Sequence, residues 1–61
     1  MDTKMIRRKT GVTQKEFAKA IGVSEQCIVF WETGKRTPRA SSIKRIIAYC
    51  KENGIKYLED F

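Results

Sequence analysis

Apolar residues recur along this chain at the spacing of helices. Phe17 and Ala18 lie four and three residues before Ile21, so these three share one helical face. Ile28 and Trp31 repeat the three-residue spacing after a short gap. A longer stripe of the same kind follows, and it consists of Ile43, Ile46, Ile47, Tyr49 and Cys50. The pattern predicts two short helices within residues 13–34 and a longer helix over residues 40–53.

Polar residues and glycines mark the ends of the two short helices. Thr13 and Glu16 form a predicted capping box, in which the hydroxyl accepts the third helical N–H and the carboxylate accepts the threonine amide. Gly22 ends the first helix, because glycine enters the left-handed conformation without a steric penalty from Cβ. Ser24 is the next N-cap, and Gly34 closes the second helix.

The spacing of small and apolar residues within this segment indicates a helix-turn-helix. Ala18 lies where the two helices would cross, Gly22 follows four residues later in the turn, and Ile28 packs back on Ala18. The second helix of such a pair is shaped to lie in a DNA major groove. An ordinary helical hairpin is the alternative, but a hairpin requires neither the small residue nor the glycine at these positions.

Flanking segments complete the predicted organisation. Residues 3–9 form a short first helix, with Met5 and Ile6 as its apolar contacts. Residues 33–39 form a basic loop that contains the only proline. The chain ends in an apolar and acidic tail over residues 55–61, which is long enough for one helical turn.

The positions just described, with several others, match the pattern of a known family. They are Arg7, Thr13, Gln14, Phe17, Ala18, Ile21, Gly22, Val23, Ser24, Ile28, Trp31, Glu32, Thr33, Gly34, Lys35 and Pro38. At these positions the chain resembles the Cro/cI-type (Xre) helix-turn-helix family of phage repressors and bacterial regulators. The resemblance implies an all-α fold that binds operator DNA, a compact lambda-repressor-like bundle of about five short helices with a central helix-turn-helix.

The resemblance places base contacts at three residues of the second motif helix, Glu25, Gln26 and Phe30. Gln26 can pair with adenine, Glu25 can accept from cytosine N4, and Phe30 can pack on thymine methyl groups. Two alternatives stay open. Glu25 also suits a helix N-terminus as a negative charge, and Phe30 also suits packing against the fourth helix or a second protomer.

Phosphate contacts are implied on either side of that helix. The residues are Gln14, Thr33, Lys35, Arg36 and Arg39. Gln14 begins a helix whose first N–H groups suit a phosphate, and the basic residues follow the second motif helix, where the DNA backbone would lie. The alternatives are an ordinary helical residue at position 14 and solvated charges elsewhere. Arg39 replaces the Ser or Thr with which the family usually caps the next helix, so Thr37 or Ser41 is expected to cap it instead.

Two sets of residues are expected to have structural roles. By resemblance, Arg7 and Glu32 form an ion pair that joins the first helix to the end of the second motif helix, a kind of contact that specifies geometry more than it stabilises. The helix-turn-helix itself is held by Ala18, Gly22, Ile28 and Trp31. Trp31 is expected to face inward with Ile28, as a core aromatic.

The composition of the chain limits the classes of function that the protein can have. The 61 residues favour a single domain over residues 1–61, and 13 Lys and Arg against 7 Asp and Glu give a formal net charge of +6. This charge favours a polyanionic partner. Two cysteines and no histidine exclude the usual zinc constellations, and we expect both thiols to be reduced, as in the cytoplasm.

Other classes are not expected. No apolar run is long enough to span a membrane, and no signal peptide precedes the motif. An enzyme is not expected either, because the sequence offers no nucleophile–base pair and no phosphate loop, and is too short for a small-molecule pocket. Neither a metal nor a cofactor is predicted.

These observations predict a sequence-specific DNA-binding transcriptional regulator of the Cro-like or repressor type, from a phage or prophage. One recognition helix contacts about four base pairs, too few to select one site, so a homodimer on a two-fold operator is expected. Candidate dimer contacts are Ile55, Tyr57, Leu58 and Phe61. Two alternatives share the fold: an antitoxin-type regulator that also binds a toxin protein, and a protein-interaction module that has lost DNA binding.

Overall fold

The computed structural model describes residues 3–55, and this part of the chain forms four α-helices and no strand. They are α1 (Thr3–Thr10), α2 (Gln14–Ile21), α3 (Glu25–Thr33) and α4 (Ala40–Glu52). The all-helical fold class is confirmed, with one helix fewer in the described residues than the bundle of five. The helical turn expected over residues 55–61 lies outside the described residues, apart from Ile55, which is not helical.

The predicted caps of α2 are present. The Thr13 hydroxyl accepts a hydrogen bond from the Glu16 amide at 3.1 Å, and a carboxylate oxygen of Glu16 accepts from the Thr13 amide at 2.9 Å. Gly22 follows the helix in the left-handed region, at φ 88°, and its N–H donates to the Ala18 carbonyl oxygen. Both ends of α2 therefore have partners for backbone groups that the helix itself leaves unpaired.

The third helix is bounded in the same way. Ser24 Oγ accepts from the Cys27 amide at 3.2 Å, and Gly34 closes the helix at φ 81°. The short turn from Gly22 to Ser24 brings α3 back against α2, and this is the most extensive contact between helices in residues 3–55. The arrangement is a helix-turn-helix at the residues that the sequence predicts.

The core lies where α2 packs against α3 and α4. It consists of the buried residues Ile6, Phe17, Ala18, Ile21, Ile28, Ile46 and Cys50. The rings of Phe17 and Tyr49 meet edge-on with their centroids 5.3 Å apart, and the Tyr49 hydroxyl donates to Thr10 Oγ1 at 3.0 Å. Tyr49 therefore joins α4 both to the core and to the end of α1.

Two apolar positions differ from expectation. Met5 is 38% exposed, and the buried side chains of α1 are Thr3 and Ile6. Thr3 and Ile6 are three residues apart on one face, whereas Met5 is displaced by about 100° around the helix from Ile6. Trp31 packs against the core but is half-buried, so Ile28 is the fully buried residue of α3.

The start of α4 also differs from expectation. Arg39 is the N-cap residue, with an extended backbone at φ −74° and ψ 164°, and its side chain makes no capping hydrogen bond to the described residues. The expectation that Thr37 or Ser41 caps this helix is wrong, because Ala40 is already helical and Ser41 lies within the first turn. The Arg39 carbonyl oxygen nevertheless accepts the first helical bond, from the Ile43 amide at 2.9 Å.

A network of hydrogen bonds and one ion pair joins α1, α2 and α3. The Arg7 guanidinium donates to both carboxylate oxygens of Glu32, from Nε at 2.7 Å and from Nη2 at 3.1 Å. Arg7 Nη1 donates to the Val12 carbonyl oxygen at 3.0 Å, and Gln14 Nε2 donates to Glu32 at 3.2 Å. The ion pair that the resemblance implies is present, and Gln14 is a further donor that the sequence does not suggest.

Two carboxylates of the helix-turn-helix have lowered pKa values. The hydrogen bond from Arg7 lowers the pKa of Glu32 most, and the bond from Gln14 adds to this, although burial opposes both. Only 4% of the Glu32 side chain is exposed. The backbone hydrogen bond from Thr13 is the largest cause that lowers the pKa of Glu16. Folding therefore favours the charged form of both groups.

We expect Ala18→Leu to destabilise the fold by about 1–3 kcal/mol, because Ala18 is 3% exposed between α2 and α3 and extra methylenes would force these helices apart. In a chain of this size such a loss lowers Tm by at least about 5 °C. Thermal unfolding followed by circular dichroism measures it. Ala20→Leu is the matched control, since Ala20 is exposed on the same helix. Equal melting temperatures for the two variants would contradict the close approach at Ala18.

Glu32→Gln should lower the free energy of unfolding at neutral pH by about 1–3 kcal/mol, because the half-buried Arg7 would lose its partner charge and regain only part of its hydration. The parent should also lose stability in acid. A carboxyl with a lowered folded-state pKa stabilises the fold above its usual pKa of about 4.3, and this contribution disappears as the pH falls through the folded-state value.

Urea unfolding between about pH 7 and pH 3 measures both effects. The parent profile should fall steeply below about pH 5, and the Glu32→Gln profile should be lower at neutral pH and flatter in acid. Glu52→Gln on the exposed side of α4 is the control and should follow the parent. An acid profile for Glu32→Gln as steep as the parent's would show that Glu32 does not carry the pH dependence.

Candidate nucleic-acid interface

The burial of Ile28 sets the orientation of α3 in the fold. Ile28 is fully buried against α2, so the helix turns other side chains toward the solvent. Glu25 and Gln26, in its first turn, are both exposed, while Val29 and Phe30 are half-buried. The first turn of α3 therefore presents one carboxylate and one carboxamide on the surface. These two groups together can accept and donate hydrogen bonds to base edges.

The ring of Phe30 lies beside the charged groups of Lys35 and Arg36. The Lys35 ammonium is 5.9 Å from the centroid of the Phe30 ring, and the Arg36 guanidinium carbon is 5.4 Å from it. Both distances are within the range of cation–π attraction. The ring expected to contact thymine methyl groups thus also contacts two side chains of the basic loop that follows α3.

Three basic side chains lie in the loop between α3 and α4. Lys35, Arg36 and Arg39 are all exposed. The backbone of this loop is tied to the helix, because the amides of Lys35 and Arg36 donate to the Phe30 carbonyl oxygen at 2.9 Å and 3.2 Å. Lys35 and Arg36 are consequently held at a defined place next to the end of α3.

Gln14 is half-buried at the start of α2, and its side chain already donates a hydrogen bond within the protein. One N–H of its carboxamide donates to Glu32 at 3.2 Å, and the same nitrogen carries a second N–H. As the first residue of α2, Gln14 also has a backbone N–H without an intrahelical acceptor. Two donors of Gln14 are thus compatible with a phosphate while the bond to Glu32 persists.

Thr33 is exposed, but its hydroxyl is engaged within α3. Its Oγ1 donates to the Val29 carbonyl oxygen at 2.8 Å and approaches the Phe30 carbonyl oxygen at 3.4 Å. A hydroxyl has a single proton, and phosphate oxygens accept hydrogen bonds but do not donate them. In this conformation Thr33 cannot donate to a phosphate, so its expected contact would require the internal bond to break.

Several interactions at this site could not be read from spacing. The bond from Gln14 to Glu32, the cations beside Phe30 and the contact of Arg45 with the end of α2 all join residues far apart in sequence or across a turn. Arg45 Nη1 lies 3.5 Å from the Ile21 carbonyl oxygen, and a Cβ on Gly22 would come within 3.0 Å of the same nitrogen. A glycine at position 22 thus serves both the turn and this contact.

The described part of the chain offers few other groups that could bind a metal, react or enter a membrane. Residues 3–55 contain no group of three or more Cys, Asp or Glu side chains placed to hold a metal ion. Both cysteines are free, and burial raises the pKa of the Cys50 thiol. None of the four helices is long and apolar enough to cross a membrane.

The comparison with known proteins agrees with this geometry. A family model described as helix-turn-helix matches residues 4–56, which is most of the chain. No match was found among curated proteins or among solved structures. The matched residues include the two capped helices, the turn between them, the basic loop and α4. The chain therefore belongs to the Cro/cI-type (Xre) helix-turn-helix family of DNA-binding proteins.

Proposed function

We propose that this protein is a sequence-specific DNA-binding transcriptional regulator that inserts α3 into the major groove of an operator. The observation that carries the proposal is the orientation of α3, which buries Ile28 and exposes Glu25 and Gln26. A recognition helix contacts bases mainly through its N-terminal residues, and these two residues occupy the first turn.

Base discrimination is assigned first to Gln26, with Glu25 and Phe30 beside it. A carboxamide forms two hydrogen bonds with the major-groove edge of adenine, so Gln26 favours an A·T pair. Glu25 accepts from cytosine N4, and the half-buried ring of Phe30 offers an apolar edge to a thymine methyl group. The exposed groups of the helix thus suit a mixed operator sequence rather than a run of one base pair.

Docking on the DNA backbone is assigned to Lys35, Arg36 and Arg39, together with Gln14. The three cations are exposed and follow α3, and Gln14 begins α2, whose N-terminus attracts anions. Thr33 is a weaker candidate, because its hydroxyl donates within α3. The exposed cations that follow α3, two of which lie against its Phe30 ring, support DNA binding over a protein-interaction role on the same fold.

The proposed regulator acts as a homodimer on a two-fold operator, in the manner of the phage repressors within its family. One recognition helix contacts about four base pairs, which cannot distinguish an operator from the rest of a genome. Two copies with α3 in successive major grooves double the contacted sequence. Of the apolar tail residues assigned to the dimer contact, Ile55 packs against the core, and Tyr57, Leu58 and Phe61 lie outside the described residues.

Binding should depend strongly on salt. If each protomer of a dimer places three cations on phosphates, about six counterions are released and affinity falls about 10³-fold between roughly 50 and 200 mM salt. Fluorescence anisotropy with a duplex selected from random DNA, repeated at several salt concentrations, measures the slope. A slope near zero would rule out this mode of binding.

The two classes of contact should respond differently to mutation. Gln26→Ala should cost about 1–3 kcal/mol on the selected duplex and leave binding to random duplex almost unchanged. Lys35→Ala should weaken both complexes alike and reduce the salt slope by about one per protomer.

Lys51→Gln is the charge-matched control for Lys35→Ala. Lys51 is exposed in the last turn of α4, about 16 Å along the helix from Ala40, and lies away from the basic loop in sequence. Its variant should bind both duplexes like the parent. Equal losses on the two duplexes for Gln26→Ala, or a loss confined to the selected duplex for Lys35→Ala, would refute the division between base and phosphate contacts.

A further inference from the structure

Phe30 contacts the loop that follows α3 through both its ring and its carbonyl group. Its ring centroid lies 5.9 Å from the Lys35 ammonium and 5.4 Å from the Arg36 guanidinium carbon. Its carbonyl oxygen accepts hydrogen bonds from the amides of Gly34, Lys35 and Arg36. One residue of α3 therefore holds both the backbone and the charged ends of two consecutive cations.

We propose that Phe30 is a positioning residue, whose ring holds the Lys35 and Arg36 side chains in the orientation in which they meet DNA phosphates. The proposal rests on the DNA-binding function proposed above and deepens it. It gives the ring an effect on affinity that does not depend on base sequence, in addition to any contact with a thymine methyl group.

The physical reason is the cost of ordering long side chains. A free lysine or arginine samples many rotamers, and binding a phosphate would select one of them at an entropic cost. A cation drawn to the face of a ring has lost part of that freedom before DNA arrives. A guanidinium near an aromatic face also keeps its in-plane N–H groups for a phosphate, because the attraction to the ring does not use them.

Electrostatics leads to the same conclusion. Lys35 and Arg36 are neighbours in sequence and lie beside the same ring, so two positive charges share a small region of the surface. Like charges held close together repel, and an anion that binds between or beside them relieves this repulsion. A phosphate group of the duplex has the charge and the acceptor oxygens that such a pair requires.

The decisive variant is Phe30→Leu, which keeps an apolar side chain for a thymine methyl group but removes the aromatic face. We expect it to weaken binding to the selected duplex and to random duplex by the same factor, about three- to tenfold. The ratio between the two affinities should not change. Phe30→Tyr, which retains an aromatic ring, should restore most of the lost affinity on both duplexes.

A second measurement tests whether the loss of affinity from Phe30→Leu depends on Lys35 and Arg36. In a Lys35→Gln, Arg36→Gln background, Phe30→Leu should cause no further loss of affinity for random duplex, because there is no cation left to position. All variants are compared at a temperature where circular dichroism shows each one to be folded, since Phe30 is half-buried. Equal losses from Phe30→Leu in the parent and in this background would overturn the proposal.

A third measurement does not involve DNA. In the free protein, the side-chain protons of Lys35 and Arg36 should show ring-current shifts in the NMR spectrum, and Phe30→Leu should abolish them. If the shifts are present but the parent does not bind DNA, the proposed function fails and the phosphate role fails with it. If the parent binds DNA and Phe30→Leu weakens only the selected duplex, Phe30 is a base-contacting residue and the positioning role alone is refuted.

Discussion

The burial of Ile28 against α2 is the contact on which the rest of this structure depends. An α-helix can present any of its faces, and the face that enters a groove is chosen by the residue buried on the opposite side. Ile28 is fully buried in a core that includes Phe17, Ala18 and Ile21, all from α2. A rotation of α3 by one residue, about 100°, would bury a neighbour in its place and withdraw Gln26 from its present position.

Small size explains why apolar packing alone does not hold α3. Residues 3–55 contain few large side chains that are fully buried, and a core of this extent leaves a small margin of stability. The ion pair between Arg7 and Glu32, with the added donor from Gln14, ties the last turn of α3 to α1 and to the start of α2. An ion pair that is shielded from water adds little net stability, because lost hydration offsets the attraction between the charges, but it does require the two side chains to keep one geometry. The proposed base contacts require a defined geometry of α3, because such contacts depend on the register of the helix in its groove.

The same residues serve the fold and the candidate interface. Gln14 donates to Glu32 inside the protein while it begins the helix whose N-terminus suits a phosphate. Phe30 closes the C-terminal turn of α3 through its carbonyl group and attracts two cations through its ring. Such sharing is expected in a short chain, where few residues are far from both the core and the binding surface. It also means that stability must be measured alongside affinity for any variant at these positions.

Local chemistry and periodicity were sufficient for the helix-turn-helix itself. The capping box of Thr13 and Glu16, the left-handed glycines and the apolar spacing act over a few residues, and the structure contains them where the sequence predicts them. Tertiary packing decided which side chains were buried: on α1 the polar Thr3 rather than the apolar Met5, and on α3 Ile28 more completely than Trp31. In addition, the N-cap residue of α4 is Arg39, whose side chain makes no capping hydrogen bond to the described residues.

By itself, then, the sequence determined the four helices, the turn that joins α2 to α3 and the inward face of α3, because each depends on residues close together in the chain. It also indicated the family, through a pattern of residues spread from Arg7 to Pro38. Only the tertiary structure decided how completely Trp31 is buried, the addition of Gln14 to the Arg7–Glu32 network and the position of two cations beside Phe30. These features depend on distances between side chains from different elements or across a turn. Spacing along a sequence does not specify such distances until the core has packed.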